Sequence, residues 1–186
     1  MHTRAHEFSW PDRIVIGTIG LPGARTFYLQ VRAGKELVSI ALEKQQAALL
    51  AEKIDEVLDQ LITIESNPFS IPTGTPAELV DDEPLEAVQE QFRTGVMSLA
   101  WDPTTAQIVI EADSLLDDAP DADGNDESLH DNGADEPERL LVRMPVGTAR
   151  AFAERTREIV SAGRPLCPLC GDPVDADGHT CTLPEG

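Results

Sequence analysis

The stretch LVSIALEKQQAALLAEKIDEVLDQL, residues 37–61, decides the fold, because it opens as a strand and continues as a helix. Its first residues are apolar and partly β-branched, as packed strands prefer. Apolar residues then recur at steps of three and four, at Ala47, Leu50, Ala51, Ile54, Leu58 and Leu61. Charged side chains fall between them, so the pattern predicts a helix with one apolar face. We expect the preceding strands to cover that face.

A similar strand-then-helix pattern returns in LLVRMPVGTARAFAERTREIV, residues 140–160. When residues 144–160 are laid over residues 42–58, several side chains match: Ala149 with Ala47, Ala153 with Ala51, Glu154 with Glu52 and Glu158 with Glu56. Strand-like runs precede both segments. We interpret the chain as two copies of one unit, although any two amphipathic helices share part of this pattern.

The expected fold is α+β, with two β-β-β-α units of antiparallel strands related by an approximate internal two-fold. The first unit is assigned to residues 1–65 and its strands to residues 13–20, 26–32 and 37–42. The second unit is assigned to residues 91–163 and its strands to residues 91–102, 107–116 and 139–144, with a bulge at Gly95. The strands share one sheet or form two facing sheets with the helices outside, and the pattern does not choose between these arrangements.

Two segments lack the apolar periodicity of a packed element. Residues 66–90 contain regularly spaced prolines that disfavour both helix and sheet, so we assign them as the connector between the copies. Residues 117–138 are strongly acidic and contain no lysine or arginine. Self-repulsion and low apolar content predict a disordered acidic loop there.

The chain of 186 residues has a formal net charge of −20. This charge argues against duplex DNA or RNA as the main partner, and against anionic membrane surfaces. No apolar run is long enough to span a bilayer, and the first residues, MHTRAHEFSW, lack the apolar centre of a signal peptide. We therefore expect a cytoplasmic protein whose partner is another protein.

The strongest chemical signal is RPLCPLCGDPVDADGHTC, residues 164–181. Cys167 and Cys170 form a CxxC pair, and His179 and Cys181 follow after a short turn. Three thiolates and one imidazole in tetrahedral number are typical of a closed, structural zinc site. A redox CxxC is the alternative, but such a pair usually opens a helix after a strand. We assign residues 164–186 as a zinc knuckle whose folding energy, roughly 10 kcal/mol, comes from the metal.

The sequence contains no GxSxG, no Walker loop, no GxGxxG after a strand and no HExxH. The leading functional hypothesis is therefore a non-enzymatic binding or adaptor protein. The first alternative is an enzyme for a small anionic substrate, with a cleft between the copies lined by Arg25, Glu43, Lys44 and Arg93. The second is weak nucleic-acid binding through the zinc knuckle, which the overall charge disfavours.

Four segments together resemble one known family: RTFYLQ at residues 25–30, SIALEKQQ at 39–46, SAGRPLCPLC at 161–170 and GHTC at 178–181. It is an uncharacterised actinobacterial family whose members are similar in length and end in a zinc-ligand knuckle. The resemblance covers nearly the whole chain except the acidic loop. It implies a cytoplasmic actinobacterial protein and transfers no catalytic residue.

Overall fold

The computed structural model describes residues 3–21, 23–115 and 136–162, together with Leu169 and Cys181. Within these residues the chain forms seven strands and two α-helices. The strands are β1 (Arg4–Ser9), β2 (Arg13–Ile19), β3 (Thr26–Ala33), β4 (Glu36–Leu42), β5 (Glu90–Asp102), β6 (Gln107–Ser114) and β7 (Glu138–Pro145). The helices are α1 (Lys44–Ile62) and α2 (Val146–Ser161), and Ala77–Leu79 forms a 3₁₀ turn. The predicted α+β class is confirmed, whereas the division into two copies stays a prediction.

All seven strands belong to one sheet, in the order β1-β7-β6-β5-β4-β3-β2. The strands β2, β3 and β4 form an antiparallel meander that leads into α1, and β5, β6 and β7 form another that leads into α2. The two meanders join through the parallel pair β4–β5, and β1 adds to β7 in parallel. The structure thus selects one sheet from the two arrangements that the sequence left open.

The sheet must curl, because its two end strands are neighbours in the chain. Only residues 10–12 separate β1 from β2, and four Cα steps span at most about 15 Å. Seven strands laid flat would extend about 29 Å at the usual spacing. Trp10 has a positive φ of 56°, and its N–H donates to the carbonyl of Arg143 on β7. The N–H of Asp12 donates to Arg32 on β3, so this link crosses between the two ends.

The apolar faces of both helices lie in the same core as the sheet. On α1 the buried residues are Ala47, Leu50, Ala51, Ile54 and Leu58, which is the predicted stripe, while Leu61 is half-buried. On α2 the buried apolar residues are Ala149, Phe152 and Ala153. The two helices also pack against each other. This shared core ties the two meanders into one body.

The boundaries of several predicted elements change. The strand β1 (Arg4–Ser9) precedes the three strands assigned to the first unit, and β6 ends at Ser114 instead of residue 116. The pairing of β5 with β6 shifts between Thr94 and Met97, which includes the predicted bulge at Gly95. The predicted acidic loop, residues 117–138, lies outside the described residues except for residues 136–138.

Candidate functional site

The junction between β4 and α1 places charged side chains at the start of a long helix. The strand β4 ends at Leu42, and Glu43 has extended backbone angles before the helix begins at Lys44. The side chain of Gln46 accepts the N–H of Glu43 at 2.8 Å and donates to the carbonyl of Gly95 at 2.8 Å. This second bond fixes the helix start against β5. The partial positive charge of the helix N-terminus lies at this junction.

Strand register brings Arg25 to the same place. Phe27 on β3 is opposite Leu42 on β4, and both side chains are buried. Extending this antiparallel register places Arg25, just before β3, near Lys44 at the helix start. Arg25 is half-buried, whereas Lys44 is exposed.

The third contribution comes from the other meander. In the parallel pair of β4 with β5, Arg93 is opposite Ala41, close to the end of β4. A terminal nitrogen of Arg93 donates to the carboxylate of Glu43. This pair is partly solvated, with 51% of the Arg93 side chain and 64% of the Glu43 side chain exposed. The parallel pairing of β4 with β5 therefore brings Arg93 to the charged side chains of the β4–α1 junction.

The predicted cleft residues Arg25, Glu43, Lys44 and Arg93 all line one cavity of about 260 Å³. We call this cavity the junction cleft. Sequence reasoning missed its remaining lining residues, which are Gly23, Thr26, Phe27 and Leu42. The missed residues are small or apolar and carry no charge signal. In a chain with a net charge of −20, three cations and one carboxylate make the junction cleft locally positive.

A larger cavity, of about 900 Å³, lies between the connector, β2 and α2. Its centre is Asp81, which accepts from Arg13 at 2.7 Å and from Arg155 at 3.0 Å. The hydrogen bond from Arg13 lowers the pKa of Asp81 and raises the pKa of Arg13 itself, while burial lowers the pKa of Arg155. Both guanidinium groups also donate to the connector carbonyl of Glu83. These arginines are thus engaged in holding the connector, which is a structural role.

The predicted zinc ligands Cys167, Cys170 and His179 lie outside the described residues, and Cys181 is half-buried. Elsewhere, the part of the chain that the structure describes contains no group of three or more His, Cys, Asp or Glu side chains arranged to hold a metal ion. The zinc site therefore stays a prediction. No described helix combines the length and the apolar character needed to cross a bilayer.

Comparison with models of protein families identifies the family of this chain. The model of the family described as "Protein of unknown function (DUF3090)" matches residues 6–181. The chain belongs to the DUF3090 family. The predicted membership of an uncharacterised family is confirmed, whereas a restriction of DUF3090 to actinobacteria stays a prediction. No significant match was found among curated proteins or among solved structures.

Proposed function

We propose that this DUF3090 protein is a non-enzymatic binding protein that holds a small anionic ligand in the junction cleft. The observation that supports this most is the convergence of Arg25, Lys44 and Arg93 on one cavity of about 260 Å³. These cations come from three separate segments. Arginine forks bind oxyanions with two parallel hydrogen bonds, and a lysine adds a mobile point charge.

The location of the cleft strengthens the attraction for an anion. The N-terminus of α1 lies beside Lys44, and α1 is 19 residues long, so its dipole contributes further positive potential. Buried Phe27 and Leu42 line the apolar part of the cleft. Low-dielectric walls of this kind focus the field of the nearby charges.

The lining also favours binding over catalysis. The described lining residues of the junction cleft include one hydroxyl group, that of Thr26, and no histidine or cysteine. General acid–base or nucleophilic chemistry usually needs a base within hydrogen-bond reach of the reacting group. The lining carboxylate that could serve as such a base, Glu43, accepts a hydrogen bond from Arg93 instead.

We infer further that the chain consists of two copies related by an internal two-fold. The strongest support is the parallel pairing, in which Phe92 is opposite Ile40 on β4 and Phe8 is opposite Val142 on β7. Both phenylalanines are buried. When β7 and α2 are laid over β4 and α1, Val142 falls on Ile40, so the phenylalanines correspond as well.

Under the same correspondence, the cleft charges belong to the β4–α1 junction and have no counterpart at the β7–α2 junction. Strand β6 pairs with β7 as β3 pairs with β4, since Ile108 is opposite Met144 and Phe27 is opposite Leu42. The positions that correspond to Arg25, Glu43, Lys44 and Arg93 are then Ala106, Pro145, Val146 and Ser9. All four charges are missing from the second junction. The second junction forms the same strand-to-helix connection without these charges, so the fold does not require them. This supports a ligand role for the charges in the first junction.

The test is a titration of the full-length protein with inorganic phosphate at low ionic strength, followed by calorimetry and by amide NMR shifts. We expect one site per chain, and about tenfold or greater weakening in Arg25→Ala. The matched control is Lys35→Ala, which removes an exposed cation from the β3–β4 turn and leaves the cleft unchanged. Absence of phosphate binding by the unmodified protein would overturn the proposal, as would equal weakening in both variants.

We also propose that Cys167, Cys170, His179 and Cys181 hold a structural zinc ion and that the knuckle offers a docking surface for another protein in the cytoplasm. The support is the ligand spacing and the tetrahedral number of donors. Affinity purification of the full-length protein from its native host is the test, with a Cys167→Ser/Cys170→Ser variant as the comparison. An unchanged set of captured partners would contradict the adaptor role of the knuckle.

A further inference from the structure

We propose that the ligand of the junction cleft is a doubly charged phosphoryl group and that Glu43 competes with it for Arg93. This inference rests on the proposed anion site and names its ligand class and its regulation. The central contact is the donation from Arg93 to the Glu43 carboxylate inside the cleft.

The Glu43 carboxylate occupies the place where an external oxyanion would bind. It immediately precedes Lys44 at the start of α1, and it takes a hydrogen bond from the one cleft arginine that comes from β5. The Glu43 carboxylate therefore makes the contact with Arg93 that an oxyanion of the ligand would make. An arriving anion must take over the Arg93 donor, and Glu43 must turn toward solvent.

The exposure of this ion pair makes such an exchange feasible. More than half of each side chain is accessible to water, and ion pairs of this kind add little to stability. Glu43 can therefore leave Arg93 without loss of core packing. Of the two capping-box bonds, the helix start keeps the one from the Glu43 N–H to the Gln46 side chain and gives up the one that the Glu43 side chain accepts from the backbone of Gln46.

The charge balance selects a dianion. Three cations and one carboxylate leave two net positive charges in the junction cleft, and three once Glu43 has turned toward solvent. A phosphate monoester carries about 1.5 to 2 negative charges at pH 7, whereas a simple carboxylate carries one. The cavity of about 260 Å³ is slightly below the usual range of roughly 300–1,000 Å³ for ligand pockets. It suits a phosphoryl group on a small organic body.

The test compares full-length Glu43→Gln with the unmodified protein in titrations with inorganic phosphate and, separately, with acetate. Glutamine keeps the size and an acceptor oxygen but removes the competing charge. We expect Glu43→Gln to bind phosphate roughly threefold or more tightly, and acetate to bind more weakly than phosphate in both proteins. The control is Glu52→Gln on the exposed side of α1, which changes the net charge equally and should stay within twofold of the unmodified protein.

The outcomes separate the two proposals. If the unmodified protein binds phosphate and Glu43→Gln binds it equally or less tightly, competition by Glu43 is wrong while the anion site stands. If acetate binds as tightly as phosphate, the phosphoryl class is wrong. A second measurement needs no variant: the Nε–H signal of Arg93 should shift when phosphate is added to the unmodified protein, and an unmoved signal would contradict displacement of Glu43.

Discussion

Arg150 on α2 and Asp55 on α1 are joined by a hydrogen bond of 2.9 Å between Nη1 and Oδ1. The Arg150 side chain is 5% exposed, and it also donates to Asp59 and to the connector carbonyl of Pro72. One buried guanidinium therefore links both helices and the connector. This contact holds α2 against α1 beside the shared core.

We expect Arg150→Ala to lower the free energy of unfolding by about 2–3 kcal/mol, because it removes a buried guanidinium together with its hydrogen bonds to Asp55, Asp59 and the Pro72 carbonyl. The control is Arg157→Ala, since Arg157 also pairs with Asp55 but is 56% exposed. Its loss should cost less than about 1 kcal/mol. Urea unfolding at pH 7 measures both, and equal effects would contradict the special role of the buried arginine.

Gly17 on β2 is the contact point for the connector. A Cβ atom at Gly17 would lie 2.4 Å from Cγ of Leu85. We expect Gly17→Ala to destabilise the protein by about 1–3 kcal/mol through overpacking. Gly74→Ala is the control, because a Cβ there meets no atom within 4 Å, and it should be neutral or slightly stabilising. Adding Leu85→Ala should relieve the Gly17→Ala effect in a double-mutant cycle; simple additivity would argue against this contact.

Asp81 should make stability fall in acid. Its pKa in the folded state is lowered, first by the hydrogen bond from Arg13 and then by backbone donation from Glu83 and by the charge of Arg155. The group therefore stabilises the fold above its unfolded pKa of about 3.9, and this contribution is lost as the pH falls through the lower folded value. We expect Asp81→Asn to be less stable than the unmodified protein at pH 7, with the difference shrinking below about pH 4.

Denaturant unfolding at a series of pH values from 7 to 3 measures this difference. Asp82→Asn, which changes the exposed neighbouring carboxylate, provides the matched comparison. A difference between Asp81→Asn and the unmodified protein that stays constant across the series would refute the linkage.

The predicted zinc knuckle has two measurable consequences, the number of zinc ions per chain and the stability of residues 164–186. Protein purified under reducing conditions should contain about one zinc ion per chain, and Cys167→Ser/Cys170→Ser should contain little. Because metal binding supplies the folding energy of a small module, a strong chelator should unfold residues 164–186 and leave the core of the two helices and the sheet intact. Metal analysis and amide NMR measure the two effects. A metal-free protein whose C-terminal signals do not change in chelator would contradict the zinc knuckle.

Local patterns predicted most of the elements because each pattern is a property of neighbouring residues. The apolar steps from Ala47 to Leu58 place one face of α1 in the core wherever that helix packs. The sequence also predicts Glu43 and Lys44 at the strand-to-helix junction, and all four predicted cleft residues line one cavity. No sequence pattern predicts the cluster of Arg13, Asp81 and Arg155 that holds the connector. These residues are far apart in the chain, and each resembles an ordinary surface charge.

By itself, the sequence determined the α+β class, the two antiparallel meanders with their helices and the irregular connector, and it predicts the ligand set of a zinc knuckle. Only the tertiary structure decided that β4 pairs with β5 and β1 with β7, which closes the strands into one curled sheet and brings Arg93 to Glu43. The physical reason is that side-chain periodicity specifies which face of a strand is buried. The choice of a neighbour between distant strands depends on how the whole core packs.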